Sequence, residues 1–122
     1  MKITINDNRK IFAIQEEFNT LFPYLKIEFF SKPHKSGGGS PKNLVKHNSK
    51  TLQECRTIHN KGEIAITPGL TVTELEQRFE DVYGLSVQIF RKSGKVWLET
   101  TLTDAWTLEQ QNKQGEALSK VA

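Results

Sequence analysis

The sequence predicts an α+β domain of the ferredoxin-like, split β-α-β class, extended by a fifth strand and a C-terminal helix. Three observations predict it. An apolar pattern occurs twice: Ile3, Ile5, Ile11, Ile14 and Phe18 return 61 positions later as Ile64, Ile66, Val72, Leu75 and Phe79. Past Phe22 and Tyr83 the offset drops to 60, because Gly84 stands where Pro23 and Tyr24 stand, and Leu25, Ile27, Phe29 and Phe30 match Leu85, Val87, Ile89 and Phe90. Within each copy the apolar period runs from two to between three and four and back to two, the signature of strand, amphipathic helix, strand.

Taken in order, Lys2 to Ile5 alternates polar and apolar, as a half-buried strand does. Asn6, Asp7 and Asn8 offer a turn and a helix N-cap. Ile11, Ile14, Phe18, Leu21 and Phe22 then make one apolar helix face, and Pro23 stops the helix for want of an amide hydrogen. Leu25, Ile27 and Phe29 alternate with Lys26, Glu28 and Phe30 as a second strand. Residues 32–62 form a basic, glycine-containing insertion with one short helix, for which Thr51 and Glu54 supply a capping box. Glu63 to Thr67 is the third strand. Thr71 caps the next helix, Glu74 completes its box, Val72, Leu75, Phe79 and Val82 form its buried face, and Gly84 ends it. Leu85, Val87 and Ile89 open a fourth strand, and the Ser93-Gly94 turn leads into a fifth, Val96 to Thr101. Asp104 or Thr107 caps a last, mostly polar helix running to about Ser119, with Leu108, Ala117, Leu118 and Trp106 as its apolar contacts. Right-handed crossovers then give one sheet in the order 5-4-1-3-2.

The chain's 122 residues suit one domain, 1–122, with a modest core, and 36% hydrophobic with 25% charged residues argues against disorder throughout. No apolar run approaches the ~20 residues of a membrane helix, so no membrane partner is expected. Asp7, Glu16 and Glu17 break up any secretory h-region. A lone cysteine, Cys55, allows no internal disulfide, which points to a reducing, cytoplasmic setting.

The net charge of +3 is uneven. Residues 31–61 hold seven Lys/Arg against Glu54 alone, and the remainder holds ten basic against thirteen acidic residues. Any charge-based function therefore belongs to this stretch. Its candidate anion contacts are Lys32, His34, Lys35, Gly37, Gly38, Gly39, Lys42, Lys46 and Lys50. The triple glycine allows a phosphate cradle of backbone amides, yet no Gly-Lys-Ser/Thr follows it and no G-x-G-x-x-G is present, so composition alone reads it as a flexible loop. His34, His47, Cys55 and His59 have spacings that match no zinc pattern, and no metal or cofactor is expected. Cys55 on the apolar side of a short helix reads as a small buried hydrophobe rather than a nucleophile. Phe30, Phe90 and Trp97 fall on the sheet face turned away from the helices, a possible aromatic patch that resembles base-stacking surfaces. The central strands carry Thr4 and Ala65 there, however, where RNA-recognition modules put their aromatics. A covered face is the simpler expectation.

The stretch from Thr71 to Gln111, TVTELEQRFEDVYGLSVQIFRKSGKVWLETTLTDAWTLEQQ, resembles small stand-alone bacterial proteins of unknown function. The resemblance implies a single α+β domain in a bacterial cytoplasm and no site residues. Together these readings favour a non-enzymatic binding or adaptor domain that meets an acidic protein or a nucleic acid through the basic insertion. The alternatives are a small enzyme or metabolite sensor for a phosphate-bearing ligand, and a structural homo-oligomer.

Overall fold

Local signals place most elements of the computed structural model, which describes residues 1–30, 44–45 and 49–120. Strand β1, Lys2–Ile5, turns Ile3 and Ile5 inward. Helix α1, Ile11–Leu21, buries Ile11, Ile14 and Phe18 and ends just before Pro23. The expected cap from Asn6–Asn8 does not form: Lys10 stands at the N-cap without a side-chain bond. Asp7 is engaged elsewhere. Strand β2, Leu25–Phe30, follows, and later a short 3-10 turn, Leu52–Cys55, whose Thr51 makes no side-chain cap either. Strand β3 is Gly62–Ala65.

Helix α2, Val72–Tyr83, carries the expected capping box between Thr71 and Glu74. Gly84 stops it at φ 63°, a left-handed value that costs glycine nothing. Its buried face is Val72, Leu75, Phe79 and Tyr83, so Tyr83 and not the 47% exposed Val82 closes the stripe. Strands β4, Ser86–Ser93, and β5, Val96–Glu99, form a hairpin with Gly94 at φ 62° in its turn. Helix α3, Leu108–Lys120, starts from a second box in which Thr107 and Gln110 exchange side-chain-to-backbone bonds. It buries Leu108, Gln111 and Gly115, while Leu118 stays 39% exposed.

The architecture is mixed α+β, but its strands do not form one sheet in the order 5-4-1-3-2. Among the described residues β1 pairs antiparallel with β3, and a separate sheet runs β2-β4-β5. The neighbour of β4 is thus β2, where a ferredoxin-like sheet puts β1. The physical reason lies in burial. β2 and β4 bury both faces over part of their length, with Phe29, Phe30, Ser86, Val87, Gln88 and Ile89 all under 9% exposed, and full six-residue pairing between them satisfies both. The short β1 and β3 each bury one face and pair with each other.

The two copies are related by a pseudo-dyad. β1 meets β3 with Lys2 against Ala65 and Thr4 against Glu63, and adding or subtracting 61 turns one pair into the other. The repeat extends further than the apolar pattern reveals. Thr51 bridges Lys10 as Thr107 bridges Thr71. Leu52 donates to the Arg9 carbonyl at 2.9 Å and Leu108 to the Leu70 carbonyl at 2.8 Å. Val45 donates to Phe29 at 2.8 Å as Thr100 donates to Ile89 at 3.3 Å. Each copy is therefore strand, helix, strand, edge segment and hook. The hook ends in one 3-10 turn in the first copy and continues as α3 in the second.

The core lies under the paired central strands. Leu25, Ile27, Phe29, Leu85, Val87 and Ile89 face the helices, all at most 1% exposed, and Phe29 meets Phe79 edge-on at 6.0 Å. Truncating a ring buried this completely costs about 3–5 kcal/mol. Leu52 and Leu108, the two hook leucines, are both fully buried and bind the copies' third segments to the same core.

Candidate functional site

The basic stretch is fastened to the core at both ends. Phe30, the last residue of β2, pairs with Leu44. Val45 continues that pairing, and Ile11 donates to the Lys50 carbonyl at 3.0 Å. Lys50 is exposed. The other expected anion contacts, Lys32, His34, Lys35, Gly37, Gly38, Gly39, Lys42 and Lys46, lie outside the described residues. Arg56 belongs to the same stretch by charge, yet its side chain is fully buried and turned inward.

Around Arg56 the first copy holds a polar cluster. The guanidinium donates to Asp7 Oδ1 from Nε at 3.2 Å and Nη2 at 2.9 Å, and to the Tyr83 carbonyl from Nη1 at 2.9 Å. His59 Nδ1 lies 2.9 Å from Asp7 Oδ2. The His59 hydrogen bond above all, with that of Arg56 adding to it, holds the Asp7 carboxyl below its ordinary value of 3.8, against an opposing effect of burial second only to that of His59. The cluster ties the turn after β1 to the C-terminus of α2 and so crosses the pseudo-dyad. The second copy makes the corresponding tie with neutral groups: Asn112 Oδ1 accepts from the Tyr24 backbone at 2.9 Å. The signal for this cluster in the sequence is departure from the repeat. Asp7, Arg56 and His59 stand where the second copy has Pro68, Asn112 and Gly115.

Beside the cluster lies an open cavity of about 530 Å³, lined among others by Phe30, Cys55, Arg56, Ile58, Glu80 and Gly84. At Arg56, one of its lining residues, the hook of the first copy leaves its 3-10 turn in extended form. Burial pushes the Cys55 thiol up, with Lys50 opposing, so the cavity wall presents a protonated thiol rather than a nucleophile. Arg56, already satisfied by Asp7 and Tyr83, offers no free charge to a ligand there.

The three aromatics of the sheet's other face do not form one patch. Phe30 is 4% exposed and pairs with Ser86 at one end of the β2–β4 ladder. Phe90 sits at the far end, opposite Lys26, and Trp97 follows on β5. The Lys26 ammonium stands 5.3 Å from the Phe90 ring centre and 5.1 Å from that of Trp97, two cation–π contacts that leave both rings half-buried. Among the described residues no three His, Cys, Asp or Glu are grouped to hold a metal, and His34 and His47 lie outside them. No described helix is long and apolar enough to cross a membrane. Comparison with known proteins gives no match: no family model, no curated protein and no solved structure is similar to this chain.

Proposed function

We propose that the protein is a small binding or adaptor domain, without enzymatic activity, that meets an acidic protein or a nucleic acid through its basic stretch. Lys32, Lys35, Lys42, Lys46 and Lys50 carry the contacts. The reading rests on one observation: Phe30 and Leu44 pair, and Lys50 and Thr51 are bound to Lys10 and Ile11. Described residues within and beside the basic segment are thus bound to the packed core, which supports a role for the segment in contacts made from that core. Arg56, drawn inward by Asp7, takes no part. The lone Cys55 supports a cytoplasmic setting, and the resemblance of 71–111 supports a bacterial one.

The test is a titration with a labelled single-stranded oligonucleotide and, separately, an acidic peptide. Five neutralised phosphates on a single strand give a log–log salt slope near −3.5, so raising salt from about 50 to 200 mM weakens binding roughly 100-fold. Replacing the five lysines by alanine abolishes it. Affinity that is flat in salt, or unchanged in the variant, refutes the reading.

A further inference from the structure

The edges of the sheets are treated unequally. Arg9 donates to the outward Thr4 carbonyl of β1 at 3.2 Å, and Tyr83 to the outward Glu63 carbonyl of β3 at 3.2 Å. On β2, Gln15 and Asn19 of α1 donate to the Ile27 and Leu25 carbonyls at 3.0 and 2.9 Å, and Val45 covers Phe29. Glu76 of α2 accepts the outward amide of Ile89 on β4 at 3.0 Å. These are the ways in which proteins blunt strand edges.

β5 is different. The bond from the Thr100 amide to the Ile89 carbonyl sets the parity of the β4–β5 ladder. Leu98 and Val96 then bond inward to Arg91 and Ser93, and Trp97 and Glu99 turn their amides and carbonyls away from β4. Among the described residues no group meets that outward edge. The side chains beside it are apolar and open, Val96 at 57% and Leu98 at 43% exposed.

We propose that the β5 edge binds β5 of a second copy of this chain, joining the two central sheets antiparallel about a dyad at Trp97. That register is the one the sequence KVWLE favours. It sets Trp97 against Trp97 of the second copy and Val96 against its Leu98, and brings Lys95, in the turn before β5, next to its Glu99. Trp97 and Glu99 share one face of β5 and Val96 and Leu98 the other, so apolar side chains meet apolar ones, and the charges that flank them, Lys95 in the turn and Glu99 at the strand end, are opposite. The register also places Trp97 in a hydrogen-bonded pair, which is where its outward amide and carbonyl require it. The interface is small, so association is weak and concentration-dependent.

Sedimentation of the full chain from about 5 µM to 1 mM tests this. Wild type rises from 13.9 kDa toward twice that mass. Lys95→Glu and Glu99→Lys each weaken association about tenfold or more by facing like charges, and the double exchange Lys95→Glu/Glu99→Lys restores it. All three variants keep the wild-type circular dichroism, since both side chains are exposed. A monomer throughout the range overturns the proposal, as does a dimer indifferent to both single reversals or a double exchange that fails to restore one.

Discussion

Replacing Gly115 by alanine should destabilise the protein, although the same change in most helices stabilises. Alanine in a helix interior is better than glycine by about 0.5–1 kcal/mol, because the unfolded chain loses less entropy. At Gly115 a new Cβ meets the Tyr24 Cβ at 2.9 Å, the Tyr24 carbonyl oxygen at 3.1 Å and the Arg91 Cγ at 3.2 Å. The first two atoms belong to Tyr24, the residue that leads into β2, and cannot swing aside. Either α3 lifts off the end of the sheet or the start of β2 moves, and such overpacking costs about 1–3 kcal/mol. The net expectation is a loss of about 1–2 kcal/mol. At ~2.1 cal/mol/K per residue, 122 residues convert each kcal/mol into about 4 °C, so the midpoint of thermal unfolding falls by about 4–8 °C. Gly69→Ala is the control. Nothing lies within 4 Å of its new Cβ and its φ is not positive, so it raises stability by about 0.4–1 kcal/mol. Calorimetry on the two variants decides the matter. A Gly115→Ala protein that melts above wild type refutes the close seating of α3 on Tyr24.

The remaining predictions concern the polar cluster and the caps. Arg56→Ala strands the Tyr83 carbonyl and removes a fully buried side chain, and lowers stability by about 1–3 kcal/mol in urea unfolding. Asp7 is held below 3.8 in the folded state, so its contribution is present above that value and is lost as pH falls through the lower folded pKa. Asp7→Asn should therefore flatten the acid limb of the stability–pH curve below about pH 4, and an unchanged limb contradicts the assignment. Thr71→Ala opens the α2 capping box and costs about 1 kcal/mol, measured by the same unfolding; a null effect says that the box adds nothing to a helix already buried.

Signals that act within a few residues were legible in the sequence. Thr71 with Glu74 started α2, Gly84 ended it, Pro23 followed the end of α1 and Gly94 turned the hairpin. Each forces a local backbone state whatever surrounds it. Pairing was not legible. Alternation in Leu25–Phe30 and Ser86–Ser93 fixes which side chains share a face, and it is silent on whether β4 lies beside β1 or β2. The third segments of the repeat are not legible in the sequence because they keep only one matched pair of large apolar residues, Leu52 and Leu108, at an offset of 56 that the 61- and 60-residue offsets do not predict. Asp7 read as a helix cap because Asn6-Asp7-Asn8 suits a cap. Its real partners, Arg56 and His59, are 49 and 52 positions away. The Phe30–Leu44 pair and the bond from Ile11 to Lys50 join residues 14 and 39 positions apart, and no local pattern encodes them.

The most direct test of the binding account is an amide NMR spectrum of labelled protein, recorded alone and with a mixed pool of short RNA and DNA and then an acidic peptide, at low and high salt. The account predicts shifts at residues 31–50 with one of these partners at low salt, recovery at high salt, and unmoved resonances for Arg56 and the buried core. Resonances from 31–50 that stay in place with every partner contradict it.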